Sequence, residues 1–326
     1  MFGKLQCCVL RRRMWRRLCG IGLLTGWCLM GQTAPKAVNH TFTHDRDVET
    51  GFQWPYVPRW DGAYLVGLAN NHSNGPVIVT IDRDGKRDET LFTMQDAGHI
   101  NLTDMAASSN GEIATIGSAL GGGERGTTFL ARISSDRKTQ VVTRVWPYCA
   151  MVVAFAPDGT IWTIGHLKDE ENTREVAFHV LRRFDPSGKL LGSTTLNVKG
   201  RNTSDETSYL RSSRDRVGWY TRGGEYIEFS LNGTEIARYD GPVGLNETDI
   251  NGVGLSAEND FVIGQLANGK SEFDMLDRQN HTWVPISIPQ EFATTSMRVY
   301  GFDGTTMVMS HTNTELRRFT ATKLKN

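Results

Sequence analysis

The sequence predicts an all-β protein, a β-propeller of six four-stranded blades, and three observations carry that prediction. A hairpin pattern of apolar run, polar turn and second apolar run recurs six times. A second turn pattern follows the copies at a variable distance, and the copies are spaced by about 45 to 55 residues, close to the roughly 40 to 50 of propeller blades.

In chain order the hairpins are R-W-D-G-A-Y-L-V-G at 59 to 67, M-A-A-S-S-N-G-E-I-A-T-I-G at 105 to 117 and V-A-F-A-P-D-G-T-I-W-T-I-G at 153 to 165. Then come L-R-S-S-R-D-R-V-G-W-Y at 210 to 220, V-G-L-S-A-E-N-D-F-V-I-G at 253 to 264 and V-Y-G-F-D-G-T-T-M-V-M-S at 299 to 310. Each turns where Asn, Asp or Gly adopts the positive φ of tight hairpins, and the flanks alternate with period two. The second pattern supplies third strands: I-V-T-I-D-R-D-G-K at 78 to 86, F-L-A-R-I-S-S-D-R-K at 129 to 138, L-R-R-F-D-P-S-G-K at 181 to 189, I-E-F-S-L-N-G-T at 227 to 234 and D-M-L-D-R-Q-N-H at 274 to 281. These turn into fourth strands such as T-Q-V-V-T-R-V-W at 139 to 146. The last unit runs out after T-E-L-R-R-F-T-A at 314 to 321, and H-T-F-T-H-D-R-D-V at 40 to 48 supplies its fourth strand, so pairing of the N- and C-terminal strands closes the ring. Seven blades is the next count, and an all-β sandwich or two small β domains the competing architecture.

The chain has 326 residues, no net charge and 39% hydrophobic content, which suits a globular core. The neutrality hides an asymmetry. Residues 1 to 37 hold seven basic residues and no acid, leaving 29 basic against 36 acidic residues in the rest. The mildly acidic body, residues 38 to 326, reads as a single propeller domain without the basic stripe that nucleic acid requires. Residues 1 to 37 read as a signal peptide or N-terminal export segment: a basic start, then the apolar run I-G-L-L-T-G-W-C-L-M at 21 to 30. A Sec signal outranks a twin-Arg one built on Arg12-Arg13 or Arg16-Arg17. No clean A-x-A cleavage site follows, so a membrane partner enters only if the segment stays uncleaved as an anchor. Localisation is therefore exported, in a bacterial periplasm or outside the cell. Four of five cysteines lie in that segment, which leaves Cys149 as a small buried residue with no disulfide partner. The Asn-x-Ser/Thr sites read as turn chemistry.

With the repeats located, A-F-A-P-D-G-T-I-W-T-I-G at 154 to 165 and R-R-F-D-P-S-G-K-L-L at 182 to 191 resemble the paired hairpins of NHL-type six-bladed propellers. The resemblance spreads over roughly residues 40 to 322 and is specific in two or three units. Trp60-Asp61 occurs once rather than per blade, and Gly121-Gly122-Gly123 does not recur, so WD and kelch repeats do not fit. Six-bladed relatives include sugar-lactone hydrolases, lyases and non-catalytic binding modules, so the resemblance implies a fold and leaves function open.

In such propellers the first-to-second and third-to-fourth hairpins share one face, and the second-to-third and inter-blade loops share the other. Here the first set are short turns with little chemistry, so the loop-rich face is expected to act. Its candidate ligand-binding residues are His72, His99, Asp104, Glu124, Arg125, Tyr148, His166 and Arg298. The imidazoles and carboxylates among them could donate to a metal, yet no two have a spacing that fixes a ligand pair, so no metal site and no cofactor are assigned. The resemblance to lactone-hydrolysing propellers leaves Ca²⁺ as an alternative, with Asn101, Asp104 and Asp249 as ligands. No P-loop and no G-x-S-x-G elbow is present. Trp146, Trp162 and Trp219 read as blade-packing residues within strands. The expected function is a binding module for a protein, peptide or carbohydrate. The alternative is a metal-assisted hydrolase or lyase acting in the channel.

Overall fold

The computed structural model describes residues 40–49, 58–69, 75–121, 126–169, 171, 174–199, 208–242, 250–267, 270–293, 296–311 and 318–325. All belong to the second of the chain's two compact units, Val38–Asn326. The expected export segment lies outside the described residues.

Strand β1 (His40–Glu49) comes first. Four four-stranded sets follow: β2 (Arg59–Trp60), β3 (Tyr64–Leu68), β4 (Val77–Asp82) and β5 (Arg87–Leu91); β6 (His99–Ala107), β7 (Ile113–Leu120), β8 (Thr127–Ile133) and β9 (Gln140–Arg144); β10 (Tyr148–Phe155), β11 (Ile161–Lys168), β12 (Glu175–Phe184) and β13 (Leu190–Thr195); β14 (Tyr209–Ser212), β15 (Arg216–Tyr220), β16 (Glu225–Ser230) and β17 (Glu235–Asp240). Then come β18 (Ile250–Leu255), β19 (Phe261–Ala267), β20 (Lys270–Asp277) and β21 (Thr282–Ser287), a short helix α1 (Gln290–Ala293), and β22 (Met297–Phe302), β23 (Thr306–His311) and β24 (Arg318–Leu324).

The protein is all-β and propeller-like, built of four-stranded antiparallel blades. The separate four-stranded sheets number four, where the sequence predicts six blades, because β18 to β24 and β1 run together as one eight-stranded sheet. The join is β1. It pairs antiparallel with β24 from Phe42↔Leu324 to Glu49↔Arg318, and parallel with β21 through only His40↔Ile286 and Thr41↔Ser287.

The turns explain the repeat. In the third set Ala156 N–H donates to Thr160 O at 2.8 Å and Gly159 N–H to Ala156 O at 2.9 Å, with Gly159 at φ 81°. This is a type I turn closed by a left-handed residue, the three-residue hairpin connection. Ser108 to Gly111, Asp185 to Gly188, Ser230 to Gly233 and Ser256 to Asn259 repeat it. The Gly that ends the second run in the second and third copies has a different cause. Gly117 pairs with Leu102 and Gly165 with Ala150, one step before a bulge in the inner strand. A Cβ on Gly165 would sit 2.0 Å from the Cys149 carbonyl oxygen, and one on Gly117 would sit 2.1 Å from that of Asn101. Only glycine admits the bulged strand there.

Blades cohere through apolar contacts between sheets. Phe92 of the first set stacks on Phe129 of the second at 5.3 Å, and Trp162 meets Phe229 at 6.3 Å across the third and fourth. Tyr226 lies on Phe261 at 3.8 Å across the fourth set and β19. Trp60, Leu65, Val79 and Ile81 of the first set form one buried cluster with Tyr300 and Val308 of β22 and β23. Burying each such side chain contributes about 1.5–3 kcal/mol. Trp162 and Trp219 are buried in β11 and β15 as expected, whereas Trp146 lies just past β9, half-buried.

Arginines staple neighbouring sets. Arg137 reaches Asp88 at 2.8 Å and Thr80 at 3.1 Å, Arg183 reaches the Leu231 carbonyl at 2.7 Å, and Arg83 reaches Asp303 at 2.9 Å. Glu228, fully buried on β16, accepts from Arg216 at 2.7 Å and from Arg278, just past β20, at 2.9 Å.

Two stability predictions follow from this packing. Glu228→Ala, which strands Arg278 and leaves Arg216 with Asp215 alone, is expected to lower the unfolding free energy by about 3 kcal/mol, read from the urea midpoint at unchanged slope. Gly165→Ala is expected to cost more than about 1 kcal/mol in the same assay, since the Cys149 carbonyl must move. An unchanged midpoint in either variant would contradict the corresponding packing account.

Candidate functional site

The first strands of the sets, β2, β6, β10, β14, β18 and β22, end at six short turns, and those turns wall a cavity of about 490 Å³. Asp61, Ser109, Pro157, Arg214, Ala257 and Asp303 each line it, one from every turn. Its wall also carries Arg59 and Arg211, both buried. The face expected to be chemically idle therefore holds the largest polar concavity among those described. The reason is geometric: short turns cannot fold over the mouth, so it stays open.

Arg59 is tied on every side. Its Nε donates to Asp61 Oδ1, its Nη1 donates to the Val153 carbonyl of β10, and Asp104 Oδ2 lies 4.0 Å from Nη1. Both carboxylates are occupied in turn, for Asp61 Oδ2 accepts from Ala107 N–H at 3.0 Å and Asp104 Oδ2 from Val153 N–H at 2.8 Å. Burial pushes the Asp104 carboxyl above the usual carboxylate range, with Arg59 opposing. An adjoining cavity of about 30 Å³, lined by Arg59 and Asp104, is room for one water.

Arg211 is different. Its Nη1 donates to the neighbouring Leu210 carbonyl at 3.1 Å, its guanidinium lies 5.9 Å from the Tyr209 ring centroid, and its buried Nε has no hydrogen-bond partner. Burial, with the like charge of Arg59, pushes its pKa down to about 10, so it stays a cation at neutral pH. Leaving such a donor unsatisfied costs about 1–3 kcal/mol. The other charged side chains of the wall are paired: Arg59 with Asp61, Arg83 with Asp303, Arg214 with Glu258, and Glu112 with Arg132. Among the described residues, Arg211 alone in that wall has no carboxylate at ion-pair distance.

Sequence reasoning placed the site elsewhere. His72, Glu124 and Arg125 lie outside the described residues, as does Asp249. His99 is the exposed first residue of β6, and Asp104 is inside β6 rather than in an inter-blade loop; of the candidates, it alone joins the Arg59 cluster. Tyr148 is not a loop residue either. It opens β10 fully buried, its hydroxyl 2.9 Å from Thr163 Oγ1 and 3.1 Å from the Val180 carbonyl it donates to, which fixes the strand. His166 stands in β11, because that strand runs to Lys168 and pairs on both sides. It is buried with neither ring nitrogen hydrogen-bonded, Nε2 lying 3.4 Å from Glu175 Oε1, and burial holds the imidazole below its ordinary pKa. Arg298 is half-buried on β22 opposite Ser310, with its Nε unpartnered, and does not line the cavity. Among the described residues no three His, Cys, Asp or Glu side chains gather as a metal cage.

The residues missed, Arg59, Asp61 and Arg211, had a signal. Counting back from the turn, Arg59 and Arg211 hold the place that Ala106, Ala154, Gly254 and Gly301 hold in the other copies. Four small residues and two arginines at one repeat position mark a departure from the structural unit.

Fold and site together define a propeller-like all-β protein with a cationic cavity at its short-turn face. No family model and no curated protein matches the chain. Among solved structures it is similar to selenomethionine-substituted virginiamycin B lyase from Staphylococcus aureus, at TM-score 0.47 and 13% identity over 86% of this chain and 99% of that one. A streptogramin B lyase structure is similar at TM-score 0.47 and 13% identity, over 86% and 98%. A protein of unknown function from Bacteroides caccae is similar at TM-score 0.45 and 12% identity, over 77% and 83%.

Outside the cavity, burial pushes the Cys149 thiol up, away from the thiolate that reactivity needs. Asp274, on β20, is pushed up to about 6 by burial and then by Glu272, while accepting from Gln265 Nε2 at 2.8 Å. The folded carboxyl keeps its proton at a pH where the unfolded one has lost it. Stability is therefore expected to fall as pH rises from about 4 to about 6. A plot of melting temperature against pH checks this: the fall should flatten in Asp274→Asn, and an equal fall in both proteins would remove Asp274 as the cause.

Proposed function

We propose that the chain is a six-bladed propeller acting as an exported, non-catalytic binding module, with its ligand seated in the short-turn cavity. Six blades are supported by the eight-stranded sheet, which divides at β1 into β18–β21 and β22–β24 plus β1, four strands each. Closure of the ring is supported by the cluster joining Trp60 to Tyr300 and Val308, and by the Arg83–Asp303 pair. Export is supported by the basic then apolar character of residues 1 to 37.

One observation carries the binding reading: a 490 Å³ cavity walled by all six turns and holding a buried, unpaired guanidinium. That volume lies within the roughly 300–1,000 Å³ of small-molecule sites. It suits a small molecule or the end of a peptide or sugar chain, whereas a protein face needs about 800 Å² per partner. No specific observation favours the hydrolase or lyase reading.

Ala257 is exposed on the cavity rim, so Ala257→Trp is expected to cover the mouth without touching the core. In a thermal-shift screen of small polar molecules, compounds that raise the melting temperature of the wild-type protein by several degrees should lose that effect in Ala257→Trp. Equal stabilisation of both proteins would place the binding elsewhere and end this reading.

A further inference from the structure

We propose that the ligand of this cavity is a monocarboxylate on an apolar body, and that Arg211 holds the carboxylate. The inference rests on the cavity being the binding site. Each of the other charges in the wall has its ion-pair partner, whereas Arg211 has no carboxylate at ion-pair distance and is attracted by Asp61 and Asp104 only from further off, so the cavity offers one cation that no carboxylate contacts. A single charge matches a monoanion. A phosphate, carrying up to two negative charges, would meet the same lone cation with Asp61 and Asp104 close behind it.

The shape of the donor points the same way. Arg211 Nη1 donates to the Leu210 carbonyl and Nε is buried without a partner, so the end of the guanidinium that carries Nη2 is the part left for a ligand. A guanidinium edge presents parallel N–H groups that fit the two oxygens of a carboxylate. Between its polar groups the same wall carries Trp60, Phe155, Pro157, Leu255 and Phe302. A hydrocarbon or aromatic body would lie against these while its carboxylate reaches Arg211. The carboxylate could belong to a free small acid or to the C-terminus of a peptide, and the test separates the two.

Titration calorimetry of the full chain with 3-phenylpropanoate, its primary amide, inorganic phosphate, and a short apolar peptide with free or amidated C-terminus tests the proposal. The acid is expected to bind at least about tenfold more tightly than the amide, a difference of about 1.4 kcal/mol, and more tightly than phosphate. In Arg211→Met, with folding verified by circular dichroism, acid and amide should bind alike. If that variant does not fold, Arg211→Lys, which keeps the charge and loses the planar fork, should narrow the preference for the acid. Binding of the free peptide but not the amidated one assigns chain ends; binding of the small acid alone assigns free acids; both support the carboxylate. If acid and amide bind alike to the wild type and Ala257→Trp abolishes both, the carboxylate falls while the cavity stands. Phosphate binding more tightly than the acid also overturns the carboxylate. If Ala257→Trp leaves binding untouched, or no probe binds, the cavity reading falls with it.

Discussion

The structure depends on how closely the first strands of the blades approach one another. At Gly252 a Cβ would lie 1.9 Å from the Val299 carbonyl oxygen, and at Gly301 one would lie 2.0 Å from that of Trp60. These are backbone contacts, which no rotamer change relieves. Crowding at the centre forces small residues there and bulges beside them, while the outer strands splay and leave the gaps that Arg137, Arg183 and Arg278 fill. Apolar stacking between sheets and charged staples at their margins are two responses to one radial geometry.

Against that crowding the two central arginines take on meaning. A large cation at a position otherwise held by Ala or Gly displaces backbone room and must be desolvated. Arg59 meets that cost by bridging non-neighbouring sets, from β2 to the Val153 carbonyl of β10, and by holding Asp61. Glu228 meets the same kind of cost with two guanidiniums. Arg211 lacks such an answer within the described chain, and buried charge without an answer is where proteins keep function rather than stability.

Much of the fold was legible because turn chemistry is local. Asp158-Gly159 or Asn110-Gly111 states a φ requirement in two letters, and repetition of that requirement at blade spacing states the architecture. Boundaries were less legible: His166 and Tyr148 looked like loop residues because nothing local shows that β10 and β11 extend to meet there. The site was hidden for another reason. Arg59 and Arg211 each stand where other copies of the hairpin have Ala or Gly, a departure that a search for repetition passes over. Convergence of the turns on one mouth is a property of ring closure, which no single hairpin encodes.

The pairing of β1 with β24 has a consequence in time as well as in space. Thr43 and Lys323, bonded across that ladder, stand 280 residues apart in the chain. Bringing them together carries the loop-closure entropy of nearly the whole domain, which is repaid only when the last strand is present. A chain emerging N-terminus first therefore holds β1 without its main partner until β24 has been made. Assembly of the domain is then gated by its final residues, and the interval before they arrive is when an uncapped edge is most open to other chains.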